Sequence, residues 1–109
     1  MIIYGLRTCA QCQKALKALE AIRRDVTFRD IRSNPLNDAE LAMLIAEFGD
    51  RLVDRSTNDY RALNDWLKNS EAEEQIAAKP KIMARPVIFD GSAYHLGWGT
   101  DVQTALLGD

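Results

Sequence analysis

The chain is 109 residues long, 47% apolar and 28% charged, with a formal net charge of −2, which predicts one domain able to bury a single core without disulfide staples. The charge balance offers no electrostatic footprint for nucleic acid, no apolar run approaches a membrane span, and no charged leader precedes the first strand. The expectation is a soluble cytoplasmic protein, with neither a membrane nor a nucleic acid as direct partner, whose thiols are held reduced.

Ile2-Ile3-Tyr4 reads as a buried strand, Gly5 to Thr8 as a turn, and Ala10 to Arg23 as an amphipathic helix. In that helix Leu16, Leu19 and Ile22 fall on one stripe with Ala15 and Ala18 beside it, while Lys14, Lys17 and Arg24 turn toward water. Val26 to Ile31 is a second strand. Strand–helix–strand over so short a stretch is a βαβ unit, so the two strands should run parallel.

Asn34-Pro35 ends that strand, and Asn37 with Glu40 forms a capping box for a helix that buries Leu41, Leu44, Ile45 and Phe48 and stops at Gly49. A third helix is expected from Ser56 as cap and Asp59, with Tyr60, Leu63 and Leu67 on one face. Residues 71–77 suggest a short fourth helix whose acidic run is a solvated face. Lys79-Pro80 breaks the helical region. Arg85 to Phe89, an Asp90-Gly91 turn, and Ser92 to Leu96 then read as a hairpin. Thr100 should cap a last helix through Val102, Ala105, Leu106 and Leu107, closed by Gly108. This order predicts an α/β fold of thioredoxin-like, glutaredoxin-type architecture: a mixed four-stranded sheet flanked by helices, with a helical insertion at about 50–80.

The only two cysteines are Cys9 and Cys12, spaced CxxC at the predicted helix start. Unpaired amides and the positive end of the helix dipole stabilise a thiolate there. A second thiol one turn further along the same face can resolve a mixed disulfide formed at the first. Cys9, nearer the helix start, is the expected nucleophile and Cys12 the resolving thiol. A zinc site needs about four ligands, and this pair plus the single histidine, His95, falls short, so no metal is expected. A structural disulfide would close a loop too small to constrain the unfolded chain much. Two inert buried thiols stay open as an alternative.

Other candidates are weaker. Arg7 and Lys14 are near the thiols in sequence and could add positive field, or could be surface charges. Arg55 and Arg61 flank the third helix's first turn and could meet an anionic substrate or simply be solvated. Pro86 suits the start of a strand, because it lacks a ladder donor. His95 and Trp98 each have a plain reading, a hairpin residue and a cover for the sheet edge.

Several stretches together resemble a known family. They are Ile3 to Cys9 leading into a Lys-Ala-rich helix, Leu52 to Ser56, Tyr60 to Leu63, Lys81 to Ile88, and Leu96-Gly97-Trp98. The resemblance is to the ArsC family, the glutaredoxin-related arsenate reductases with their Spx and YffB-like relatives. It spans essentially the whole chain, the helical insertion included. It implies that Cys9 is the catalytic cysteine, that Arg85 precedes a cis Pro86 facing it, and that Cys12 stands where Spx-type members carry a redox-switch cysteine. The expected function is a glutaredoxin-like thiol–disulfide oxidoreductase acting on a disulfide or glutathione mixed disulfide. Arg85, Pro86, Arg55 and Arg7 would position substrate, and glutathione would be a co-substrate in place of a bound cofactor. Two alternatives follow from the same resemblance: a Spx-like redox regulator that binds the RNA polymerase α subunit, and an arsenate reductase. Gln13 and Trp98 stand where the family's arsenate reductases carry arginines, and an oxyanion needs several charge-assisted donors.

Overall fold

The first apolar run of the chain becomes the hub of a sheet. A computed structural model describes residues 1–23 and 25–108, so Arg24, expected to face water, lies outside the described residues. Strand β1 (Ile2–Gly5) pairs in parallel with β2 (Thr27–Asp30) and antiparallel with β3 (Val87–Phe89), which pairs antiparallel with β4 (Tyr94–Leu96). The order is β2-β1-β3-β4, the mixed four-stranded, thioredoxin-like sheet that the element order predicts. Ile3 stands opposite both Phe28 and Ile88, so the three share one face. Helices α1 (Ala10–Glu20) and α6 (Thr100–Leu107) close the core over it, where Ala15, Leu19 and Val102 pack with Ile3 and Ile88.

Helix α1 departs from its expected stripe. Its buried residues are Cys12, Ala15 and Leu19, whereas Ile22 lies past the helix end and is 56% exposed. The chain turns out of the helix at Ala21, and Arg23 then pairs with Asp25 at 2.7 Å in the approach to β2. The hairpin also differs: its loop is longer than the expected Asp90-Gly91 turn. Asp90 Oδ1 accepts the amides of Ser92 and Ala93, each at 2.8 Å, and the Asp90 N–H reaches the Ala93 carbonyl at 3.0 Å. One side chain thus satisfies donors that a tight turn would leave open. The last helix takes Gly99 as its N-cap, and Thr100 is its first residue.

Residues 32–84 form a second compact unit, built of helices apart from an isolated antiparallel bridge between Val53 and Met83. The capping box forms as expected at α2 (Asp38–Phe48): Glu40 N–H donates to Asn37 Oδ1 at 2.8 Å and Asn37 N–H to Glu40 Oε1 at 2.9 Å. Gly49 ends it with φ of 59°. The expected third helix is two short ones, α3 (Asn58–Arg61) and α4 (Asp65–Lys68). Thr57, rather than Ser56, caps α3 through a 3.1 Å bond from Tyr60 N–H, because the Ser56 hydroxyl turns back to Asp54. Asn64 interrupts the run by accepting Leu67 N–H at 2.9 Å, the local side-chain competition that makes Asn a cap rather than a helix interior residue. Buried Gln75 of α5 (Ala72–Ala78) caps the far end of α4, its Nε2 donating to the Leu67 carbonyl at 2.8 Å. Leu44, Leu52, Leu63, Ile76, Ile82 and Met83 give this unit its own buried residues. No helix among the described residues is long and apolar enough to cross a membrane.

Replacing Asn37 with alanine removes the side-chain acceptor of the Glu40 N–H and leaves only the bond from its own backbone N–H to Glu40. A loss of about 1 kcal/mol is expected in urea unfolding of the full chain, with Asn37→Asp retaining most of the stability.

Candidate redox site

The site is built where β1 hands the chain to α1. Gly5, the last residue of β1, carries no side chain, and a Cβ there would run into Cys12 Sγ and lie 3.2 Å from Cys12 Cβ. Its absence lets the first turn of α1 sit directly on the strand end, with Cys12 at 0% exposure. The intervening turn is tied at several points. Cys9 N–H donates to the Leu6 carbonyl at 3.0 Å, Ile31 N–H to the Gly5 carbonyl at 3.0 Å, and Arg7 N–H to the carboxylate of Asp30 at 3.0 Å.

Cys9 is the N-cap of α1, with extended backbone angles of φ −84° and ψ 121°. Its carbonyl accepts the first helical bond, from Gln13 N–H at 3.1 Å. No side chain closes a capping hydrogen bond at this helix start, and the Cys12 amide is left turned toward the Cys9 sulfur. Both cysteines are free thiols. Burial alone would push the Cys9 thiol up, but the Cys12 amide, the Cys12 thiol and the Arg85 guanidinium together outweigh it and hold Cys9 below the ordinary thiol range. Cys12 goes the other way: burial, reinforced by the hydrogen bond and charge of Cys9, pushes it up to about 12. The two thiols therefore divide into one that ionises readily and one that keeps its proton and shares it with its neighbour.

Arg85 reaches Cys9 from the start of the hairpin, and the Arg85–Pro86 bond is cis. Pro86 is fully buried, with its carbonyl accepting Gly97 N–H at 2.8 Å. Cys9, Cys12 and Arg85 are thus brought together. Arg7 is exposed, its guanidinium over the Phe28 ring at 5.4 Å, and Arg55 is exposed in the helical unit just ahead of α3. Arg61 Nη1 donates to Asn58 at 3.0 Å. His95 Nε2 lies 2.9 Å from Asp90, whose carboxyl is held at about 2 by the amide of Ala93, then by His95 and Ser92. Trp98 packs half-buried on the core. Among the described residues no three His, Cys, Asp or Glu side chains gather to hold a metal ion.

Two residues of the site escape a reading of the sequence. Asp30 is buried at 6% exposure, and Gln13 donates through Nε2 to the Arg7 carbonyl at 2.7 Å. The one available signal is an aspartate at the end of an apolar strand, which equally well marks a strand terminus.

A mixed sheet whose third strand follows a cis proline, with a dithiol at the head of the first helix, defines a thioredoxin-like protein. The chain belongs to the ArsC family, whose model matches residues 4–105. An uncharacterized protein of Haemophilus influenzae is 32% identical over 97 residues, covering 84% of this chain and 85% of that one. The global transcriptional regulator Spx 2 of Lactococcus lactis is 25% identical over 111 residues, covering 96% and 84%. Among solved structures, the YFFB (PA3664) protein matches with a TM-score of 0.87 at 25% identity, over 98% of each chain. An arsenate reductase (ArsC) related protein from Brucella melitensis matches with a TM-score of 0.73 at 25% identity, over 99% of this chain and 94% of that one.

The unequal thiols make two predictions. Iodoacetamide at neutral pH should add one adduct, at Cys9, and a second only after unfolding, as read by intact mass and fragment mapping. Stability should also respond to alkali. Above the ordinary thiol value of 9.0 the unfolded Cys12 loses its proton, while the native one keeps it up to about 12. The native state then binds the extra proton, so unfolding free energy falls as pH rises through that window. Cys12→Ala should flatten that decline in denaturant titrations between these limits.

Proposed function

We propose that this protein is a glutaredoxin-like thiol–disulfide oxidoreductase of the ArsC family, with Cys9 as nucleophile and Cys12 as resolving thiol. The observation that carries the reading is the opposed ionisation of the two sulfurs at one helix head. The Cys9 thiolate attacks one sulfur of a substrate disulfide. Its S–S bond breaks, a Cys9 mixed disulfide forms, and the departing thiolate takes up a proton. Cys12 then loses its own proton and attacks Cys9 Sγ, releasing the second substrate thiol and leaving a Cys9–Cys12 disulfide. The substrate gains two electrons and the pair loses two, and an external thiol such as glutathione reduces the pair again.

The high value of Cys12 suits this order. Part of it comes from the hydrogen bond and charge of Cys9. Once Cys9 is tied up in a mixed disulfide, that part disappears and Cys12 gives up its proton more readily. Arg85, which favours the Cys9 thiolate, would also lie beside an incoming acidic substrate such as glutathione, next to Pro86. Arg7 and Arg55, both exposed, are the further candidates for substrate contact.

A second reading is favoured by the Spx relatives: a redox-sensing regulator whose Cys9–Cys12 state alters binding to the RNA polymerase α subunit. Arsenate reduction has less support, because Gln13 and Trp98 stand in place of arginines and Gln13 spends its amide on the Arg7 carbonyl.

Cys9→Ser should abolish reduction of a glutathione mixed disulfide in a glutathione-coupled assay, and Cys12→Ser should trap a glutathionyl adduct at Cys9 visible by mass. Undiminished reduction by Cys9→Ser would sink the oxidoreductase reading. Capture of the polymerase α C-terminal domain in only one redox state would favour the regulator.

A further inference from the structure

The turn that delivers Cys9 to the helix is held at one residue, Arg7, through the two peptide units that flank it. On one side the Arg7 N–H donates to Asp30 Oδ2 at 3.0 Å. On the other the Arg7 carbonyl accepts from Gln13 Nε2 at 2.7 Å. Asp30 ends β2, and Gln13 belongs to the first turns of α1, directly after Cys12. The clamp therefore ties the turn to the sheet and to the helix at once. Gln13 holds the turn twice, since its backbone N–H also donates to the Cys9 carbonyl at 3.1 Å.

Asp30 is the one buried charged side chain in the sheet unit among the described residues. Taking a carboxylate out of water is costly unless donors meet it, and a backbone amide supplies one here. The thiol steps proposed above use neither Asp30 nor Gln13. Without these ties Arg7 and Thr8, both exposed, would hold Cys9 less firmly at the helix head, since the turn's own bond from Cys9 N–H to the Leu6 carbonyl engages neither the Arg7 N–H nor the Arg7 carbonyl.

We propose that Gln13 and Asp30 are positioning residues, which hold the backbone on both sides of Arg7 and so fix Cys9 at the head of α1. They touch no reacting atom. Their part is to keep the sulfur in front of the Cys12 amide and Arg85, where the thiolate is favoured. The inference deepens the oxidoreductase reading and rests on it for its purpose, but the geometry it describes exists without any substrate.

The test is the rate of Cys9 alkylation by iodoacetamide across pH in the full chain, counted as one adduct or two. No disulfide substrate is present, so the outcome is independent of whether the protein proves to be an oxidoreductase. Gln13→Ala should slow Cys9 labelling at neutral pH and move the profile upward, by the roughly two- to tenfold that one net hydrogen bond is worth. Cys12 should remain protected. Asp30→Ala should do the same. Asp30→Asn keeps an acceptor for the Arg7 amide and loses a negative charge, so it should label no more slowly than the unmodified chain. Wild-type labelling by Gln13→Ala overturns the proposal even if Asp30→Ala fails to fold. Slowing accompanied by a second adduct at Cys12 also overturns it, because that marks general loosening instead of a displaced Cys9.

Discussion

Everything at the paired thiols depends on how closely the first turn of α1 approaches the end of β1. Gly5 permits that approach by lacking a Cβ, and Cys12 fills the space with a fully buried sulfur. Interiors packed to this density have no room for a methyl group more, so strand end and helix head behave as one rigid piece. Cys9, three residues earlier, is thereby placed at the rim, partly exposed and in line with the helix amides. The same packing that hides one thiol presents the other.

From that placement the chemical asymmetry follows. Desolvation disfavours the charged form of both thiols, and at Cys12, reinforced by Cys9, it outweighs the Leu6 backbone hydrogen bond and Arg85. At Cys9 the amide, the neighbouring thiol and a guanidinium reverse the sign. The pair is coupled, since each sulfur enters the other's balance, and its two ionisations belong to the pair as a whole. A buried, protonated partner that donates to a partly exposed thiolate suits thiol exchange, in which one sulfur attacks and the other waits.

Gln13 brings a neutral amide to the first turns of α1. A neutral amide cannot supply the charge-assisted, forked donation that a guanidinium gives to an oxyanion. Here it is spent on a backbone carbonyl, in a role that is structural for the turn. The cation at the site is Arg85, which comes from the hairpin rather than from α1. Thiolate stabilisation thus draws on two elements far apart in sequence and adjacent only in the folded sheet.

The sequence by itself determined the elements whose signals are local. The CxxC at a helix head, the Asn37–Glu40 box, the parallel βαβ unit and the closing hairpin depend on neighbouring residues, and all are present in the structure. Ser56 suits a cap as the sequence reads, but the Asp54 carboxylate takes its hydroxyl and leaves the cap to Thr57. Ile22 fitted the apolar period of α1, yet the helix ended before it. Only tertiary structure decided that Cys12 would be a core residue, that Arg85 would meet Cys9, and that Asp30 would take the Arg7 N–H. Those relations join positions remote in sequence, and no spacing or propensity encodes which distant groups a fold will bring to hydrogen-bonding distance.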